Sequence, residues 1–252
     1  YALDDLTRIA DKVPGLVLGS SALSFGDQVS LRGVGTSVLN ATIDQSVSLN
    51  VDGLQLTQGL AYQSAMFDMA QVEVLKGPQG LFFGKASPGG VISVRTADPT
   101  EEFEFIVRAG YEFEAEEQQT ELIVSGPVTD TLGARLSGSF SDAEGFFRNE
   151  ATAAPGTGAV DPEYRNIADN ETTLLRGTVL WNPTERFSSR LKANYSNSEI
   201  EGWGGEPQMA SCPDGTGSTI GHPFLGGGED CKLDDTQRTV GLDPAAFPVI
   251  KN

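Results

Sequence analysis

The 252-residue chain contains one histidine, two cysteines and only 17 basic residues against 35 acidic ones. Each shortage removes a class of function. With a single His and no Ser/His/Asp or Cys/His arrangement around it, there is no imidazole placed to activate a nucleophile. A net charge of −18 lacks the basic footprint that nucleic-acid binding requires. No run of about 20 apolar residues is present, so no helix can span a bilayer. The charged-then-apolar pattern of a signal segment is also missing. The chain opens directly on YALDDLTRIADKVPGL, from which we expect a processed or truncated start.

A phosphate-binding loop is missing too, although one stretch imitates it. The loop KGPQGLFFGKASPGG, residues 76–90, ends a Gly-rich run in Gly84-Lys85. A P-loop needs a Gly five residues before that glycine and a Ser or Thr after the lysine. Here those positions are Gln79 and Ala86. The strand-like VISVRT follows, where the motif needs a helix N-terminus to hold the phosphates. Nucleotide chemistry is therefore excluded.

Charge is unevenly distributed. Residues 1–97 hold eight acids and six bases, and residues 98–252 hold 27 and 11. A near-neutral part is followed by an acidic one whose charge reads first as solvated loops. The first part reads as a small α+β unit. LDDLTRIADKV places Leu3, Leu6, Ile9 or Ala10, and Val13 on one helical face, and Pro14-Gly15 ends it. Strands are expected at QVSLRG, SVSLNVDG, AQVEVLKG and GVISVRT, with Asp52-Gly53 as a turn.

From residue 101 the period changes to two. In EEFEFIVRAGYEFE one face carries Phe103, Phe105, Val107, Ala109, Tyr111 and Phe113, and the other is mostly charged. The alternation returns in ARLSGSF, where Arg135 opposes Leu136, in TLLRGTVLWNP around Arg176, and in FSSRLKANY, where Arg190 and Lys192 oppose Leu191. TELIVSGPV breaks it at Ile123. A half-apolar strand also suits a soluble sandwich. Three features favour a membrane barrel: strands of the nine to eleven residues that cross a bilayer, aromatics near strand ends, and connections that alternate short and long. About five strands cannot close a barrel around another domain, so the chain is expected to be the front of a larger protein.

In this order, VSLRGVG, VDGLQL, VEVLKGPQGLFFGKASPGGVISVRTADPT and VSGPVTDTLGARLSGSFSDAEGFFRN resemble the TonB-dependent outer-membrane receptors. The resemblance implies an α+β plug domain over residues 1–97. Antiparallel transmembrane strands over 98–252 follow, as the first part of a plugged 22-stranded barrel. It further implies TonB-dependent active transport across the Gram-negative outer membrane. The ligand would be a scarce one, a ferric siderophore or similar metal complex, and energy from the inner-membrane TonB complex would displace the plug. A passive or TonB-driven oligosaccharide importer is the alternative, and a soluble β-rich enzyme or adhesin a remote one. Neither enzymatic activity nor a cofactor is implied. The implied partners are TonB, the ligand, outer-membrane lipid and lipopolysaccharide.

The resemblance also assigns residues. Arg32 of the LRG motif and Lys76 before the Gly-Pro would latch the plug to barrel glutamates on later strands. The second position is usually Arg, so Lys76 would replace a bidentate contact by a point charge. The bland reading leaves both in solvent at strand ends. Gly33, Gly77, Gly80, Gly84, Gly89 and Gly90 would allow the plug loops to bend and approach the wall closely. Ligand would meet the tips at residues 20–26, 37–43 and 58–63, with Phe25, Tyr62, Gln63 and Trp203 as contacts suited to a siderophore or a sugar. Cys212 and Cys231, in an exported protein, are expected as a disulfide closing a loop of about 20 residues, worth about 3 kcal/mol. A metal site with His222, Glu229 and Asp230, or a calcium site at Asp230, Asp234 and Asp235, is the sharper alternative. In the family a TonB box precedes the plug; no such segment is visible in this sequence.

Overall fold

The computed structural model describes residues 9–20, 27–36, 45–56, 66–83, 87–113, 116–145, 147–163, 165–167, 169–201, 232, 234–238, 240–243 and 245–246. The chain divides into two compact units. One holds residues 1–109, 119–140 and 172–197, the other residues 110–118, 141–171 and 198–252.

The first unit begins with a helical turn at Ile9 and Ala10, closed by Lys12 N–H to Ile9 O and Val13 N–H to Ala10 O bonds. Strands β1 (Leu16–Ser20), β2 (Asp27–Leu31) and β3 (Val34–Gly35) form one antiparallel sheet. Strands β4 (Val47–Val51), β5 (Leu54–Leu56), β6 (Met69–Lys76) and β7 (Gly90–Thr96) form a second sheet in the order β5-β4-β7-β6. Within it, β4 and β7 run parallel, with antiparallel strands on either side. A parallel pair needs cover on both faces. Accordingly Val47, Leu49, Val91, Ile92 and Val94 are all fully buried, and all but Val91 pack in one cluster with Ile9, Leu16, Val29, Leu31 and Met66.

Two hairpins share one turn chemistry. Leu31 pairs with Val34 and Val51 with Leu54, leaving two-residue loops Arg32-Gly33 and Asp52-Gly53. All four loop residues have positive φ: 53°, 79°, 50° and 90°. This is the type I′ turn, whose twist matches that of the flanking strands. The Arg of the LRG motif thus occupies a turn position. The expected strands are all present, and β1, β3 and β5 add to them. Of these, β3 and β5 are two and three residues long, too short to display a period.

The loop 76–90 holds one helical turn, α1 (Gly80–Phe83). Its end depends on Gly90. There φ is +146°, and a Cβ would lie 2.3 Å from Leu75 O and 2.7 Å from Leu31 Cδ2.

After the plug sheet come β8 (Glu104–Tyr111), β9 (Gln118–Thr129) and β10 (Leu132–Ala143). Short strands β11 (Phe147–Asn149), β12 (Ala159–Val160) and β13 (Asn166–Ile167) precede the long β14 (Asp169–Thr184) and β15 (Phe187–Glu201). The five long strands form a meander, β15-β14-β10-β9-β8. Two-residue turns at 130–131 and 185–186 alternate with the longer connections at 112–117 and 144–168. At 12 to 16 residues, β9, β10, β14 and β15 exceed what a bilayer crossing needs. None of the described helices is long and apolar enough to cross a membrane.

The faces of this meander are inverted relative to a soluble sheet. Phe105, Val107, Leu136, Leu175, Val179, Trp181 and Leu191 are exposed, whereas Ser125, Arg135, Ser137, Arg176 and Thr178 are buried. A sandwich would bury the apolar face; a barrel wall turns it toward lipid. The break at Ile123 is explained on the same grounds. Leu122 is 43% exposed and Ile123 2%, so Ile123 sits on the Ser125 face, against protein. Trp181 and Phe187 flank the 185–186 turn and stack edge-to-face at 5.7 Å, as Tyr111 and Phe113 do at 5.0 Å where β8 ends.

In the second unit, β11 pairs antiparallel with β13 and parallel with β16 (Thr236–Gln237). Strand β12 pairs with β17 (Gly241–Leu242). Arg165 donates to the carbonyls of Asn149 and Ala151 at 3.0 and 2.9 Å. Arg238 pairs with Glu150 at 3.1 Å.

Gly90→Ala is expected to destabilise the plug by about 2–4 kcal/mol, because an added methyl collides with backbone that cannot rotate away. Limited proteolysis should then cut around β4–β7 while the strands of the meander stay intact.

Candidate functional site

Two turn carboxylates stand at one end of the four-stranded sheet. Asp52 occupies its hairpin loop and Asp68 directly precedes β6, both with φ of 50°. Aspartate tolerates this left-handed region because its short polar side chain bonds locally. Asp52 donates its N–H to Val94 O, Ala97 donates to Asp68 O, and Met69 pairs with Thr96. Asp52 also accepts from the backbone N–H of Thr96 at 3.0 Å and from its hydroxyl. The ends of β4, β6 and β7 are thereby tied together.

Three neighbouring strands deliver cations to this end. Arg135 on β10 grips Asp68 with two parallel bonds, Nη2 to Oδ1 at 2.6 Å and Nε to Oδ2 at 2.9 Å. Its Nη1 lies 3.5 Å from Glu104. Arg176 on β14 donates to the carbonyl oxygens of Phe67 and Asp68 and to Asn194 Oδ1. Its guanidinium lies 5.4 Å from the centre of the Phe67 ring. Lys192 on β15 donates to the Thr96 hydroxyl, to Thr96 O and, at 3.2 Å, to Asp52 Oδ2. Asp98 lies between Lys192 at 3.5 Å and Arg190 at 2.7 Å. The planar fork of Arg135 matches a carboxylate in a way that an ammonium cannot.

These groups are deeply placed. The side chains of Asp68 and Arg135 are 3% and 8% exposed, and Arg176 is 4% exposed. Burial alone pushes the Asp68 carboxyl up. Hydrogen bonds from Arg135 and Ser137, with the charges of Arg135 and Arg176, outweigh that and hold it below its ordinary 3.8. Asp52 behaves alike: burial raises it, and Thr96 and Lys192 bring it below the ordinary value. The arrangement clamps one end of the plug sheet to β10, β14 and β15.

The residues assigned by resemblance are elsewhere. Arg32 is exposed on its turn, with its N–H bonded to Gly15 O at 2.7 Å. Lys76 donates to Pro14 O at 2.9 Å. Neither forms an ion pair with another described residue. Gly33 and Gly77 have positive φ, Gly80 opens α1, and Gly89 packs against Val47. Gly84, Phe25, Tyr62, Gln63, Trp203, Cys212, Cys231, His222, Glu229 and Asp230 lie outside the described residues. Asp234 accepts from the N–H and hydroxyl of Thr236, as a local turn does. Asp52, Asp68 and their three cationic partners were missed as a set. Their one signal was a cation on the polar face of each strand.

Asp68→Asn should leave Arg135 and Arg176 buried without their counter-charge. Losing one partner of such a pair costs about 3–5 kcal/mol. We expect the four-stranded sheet to become protease-sensitive while the meander of β8, β9, β10, β14 and β15 stays intact. The pH dependence follows in sign. A lowered carboxyl pKa stabilises the assembled form fully above the ordinary value and loses that contribution as pH falls through the lowered one. Protease resistance of the plug should thus be equal at pH 7 and 5 and fall only below about pH 4.

Comparison with known proteins agrees with this architecture. A family profile, the TonB-dependent Receptor Plug Domain, matches residues 2–91. The chain is 29% identical over 170 residues to the pesticin receptor of Yersinia pestis, covering 66% of this chain and 24% of that one. It is 25% identical over 213 residues to the ferrienterobactin receptor of Escherichia coli K12, covering 76% and 28%. Among solved structures, the ferric yersiniabactin uptake receptor of Y. pestis superposes with a TM-score of 0.63 at 22% identity, covering 76% of this chain and 28% of that one. The pyoverdine receptor of Pseudomonas aeruginosa PAO1 gives 0.56 at 21%, covering 76% and 25%. The chain spans about a quarter of the length of these relatives. Residues 2–91 thus match a TonB-dependent receptor plug domain, and over about three quarters of its length the chain is similar to outer-membrane receptors.

Proposed function

We propose that this chain forms the plug, residues 1–97, and the first wall strands, from residue 98, of a receptor that imports an iron chelate across the outer membrane. In this reading TonB supplies the force that displaces the plug. The observation that carries it is the clamp between Asp68 and Arg135 on a sheet with its apolar face outward. A folded domain is held against the polar side of a lipid-facing wall, which is the construction of a gated passage. The relatives support the ligand class: hemin and ferrienterobactin, both iron complexes, stand in their names.

The latch assigned by resemblance has a place in this reading. Arg32 is solvent-facing on a tight turn and Lys76 reaches only a carbonyl, so both are free to meet glutamates from further strands. Arg32→Ala should raise antibiotic sensitivity without preventing barrel assembly, and unchanged permeability would count against the latch.

The transport reading is tested with the full-length receptor in cells lacking their own iron-chelate receptors. Uptake of radiolabelled ferric siderophores should appear with the receptor and collapse with a protonophore. Uptake that ignores the protonophore would identify a passive channel. A product found in the soluble fraction, with no heat-dependent shift on a gel, would reject the barrel altogether.

A further inference from the structure

Within the first unit, the plug-facing sides of β10, β14 and β15 carry charge of one sign. On β10 and β14 that face is marked by buried Arg135, Ser137, Arg176 and Thr178, and on β15 by Lys192 and Asn194, which bond inward. Alternation assigns every second residue to the same face. Along residues 132–140, 172–184 and 187–197, these positions include Arg135, Arg176, Arg190 and Lys192 and no Asp or Glu. On β8 and β9 the balance differs, because Arg108 is already paired with Glu121.

The counter-charges come largely from the plug. Asp68 serves Arg135, Asp52 serves Lys192, and the carbonyls of Phe67 and Asp68 serve Arg176. Even if Asp98 and Glu104 stay with the strands, cations outnumber carboxylates on this wall. Fixed cations beside a water-filled passage with low-dielectric walls concentrate anions, and rings of charged side chains select the sign of what passes.

We infer that Arg135, Arg176 and Lys192, with Arg190 beside them, form a second binding stripe, which the plug largely covers at rest and exposes to an anionic chelate in transit. The inference rests on the transport reading, since it requires the plug to leave the wall. It gives the clamp a double use. The groups that hold the passage shut are those that, once uncovered, attract a negatively charged iron complex through it. Ferric complexes of catecholate or polycarboxylate ligands carry such charge; neutral complexes would gain nothing from the stripe.

The test uses purified full-length receptor in planar lipid bilayers, with the plug loosened reversibly by urea and potassium chloride as the probe. The chloride-to-potassium permeability ratio is read from the reversal potential in a salt gradient. In Arg135→Gln/Lys192→Gln that ratio should fall by about twofold relative to wild type. Because that pair sits in the clamp, Arg190→Gln, at a side chain 45% exposed, serves as the second variant and should shift the ratio in the same direction. A ratio unchanged in either folded variant would overturn the inference while leaving transport untouched. A wild-type receptor that passes no current with its plug loosened would overturn the transport reading, and the inference with it.

Discussion

Burying a charge in protein is tolerable only when a partner of opposite sign is held against it, and much of this structure depends on one such pair. The carboxylate of Asp68 and the guanidinium of Arg135 meet in a two-bond fork. Each belongs to a different architectural layer. One is on a turn of the plug sheet, the other near the start of a wall strand. Neither layer would bury its charge alone. The pair therefore specifies how the two surfaces register as well as that they adhere. Arg176 strengthens the register by bonding main-chain carbonyls, which fixes the backbone of Phe67 and Asp68 rather than a mobile side chain.

The clamp stands on local turn chemistry. Asp52 and Asp68 are both left-handed residues, and both project from the end of a sheet whose interior is Val, Ile and Leu. The apolar interior makes the sheet rigid, and the turns aim carboxylates from its rim. The wall supplies its side by period-two alternation: a cation placed on the inward face of a strand cannot reach lipid without a one-residue register slip. Rigidity on one side and register on the other make a point contact between charges sufficient.

The same geometry suits a domain that must hold yet come away. Apolar packing between plug and wall would be adhesive and slow to re-form in water. Charge pairs and hydrogen bonds can be exchanged for hydration once force parts them, because water replaces each partner. The buried face of the wall is accordingly mostly Ser, Thr and Arg, with Ile123 the apolar exception, and its exposed face is largely Leu, Val, Phe and Trp.

The sequence by itself determined the alternation of the long strands, the turn at Asp52-Gly53, and the change from a plug-like to a wall-like pattern near residue 100. These are set by neighbours two to four residues apart, where alternation and φ preference act directly. It also marked Arg135, Arg176 and Lys192 as polar-face residues. The turn at Arg32-Gly33, read as the end of a strand, came only with the structure. Tertiary structure alone decided which way the faces point. A strand with Leu136 on one side and Arg135 on the other suits a sandwich or a barrel equally, until something packs against the arginine side. It likewise decided the clamp: Asp68 and Arg135 are 67 residues apart, and nothing in the local pattern around either one names the other. Ile123 shows the limit most simply. It looked like a fault in an alternating pattern and proved to be an apolar residue on the plug-facing side of the wall, where burial by protein rewards it as well as lipid would.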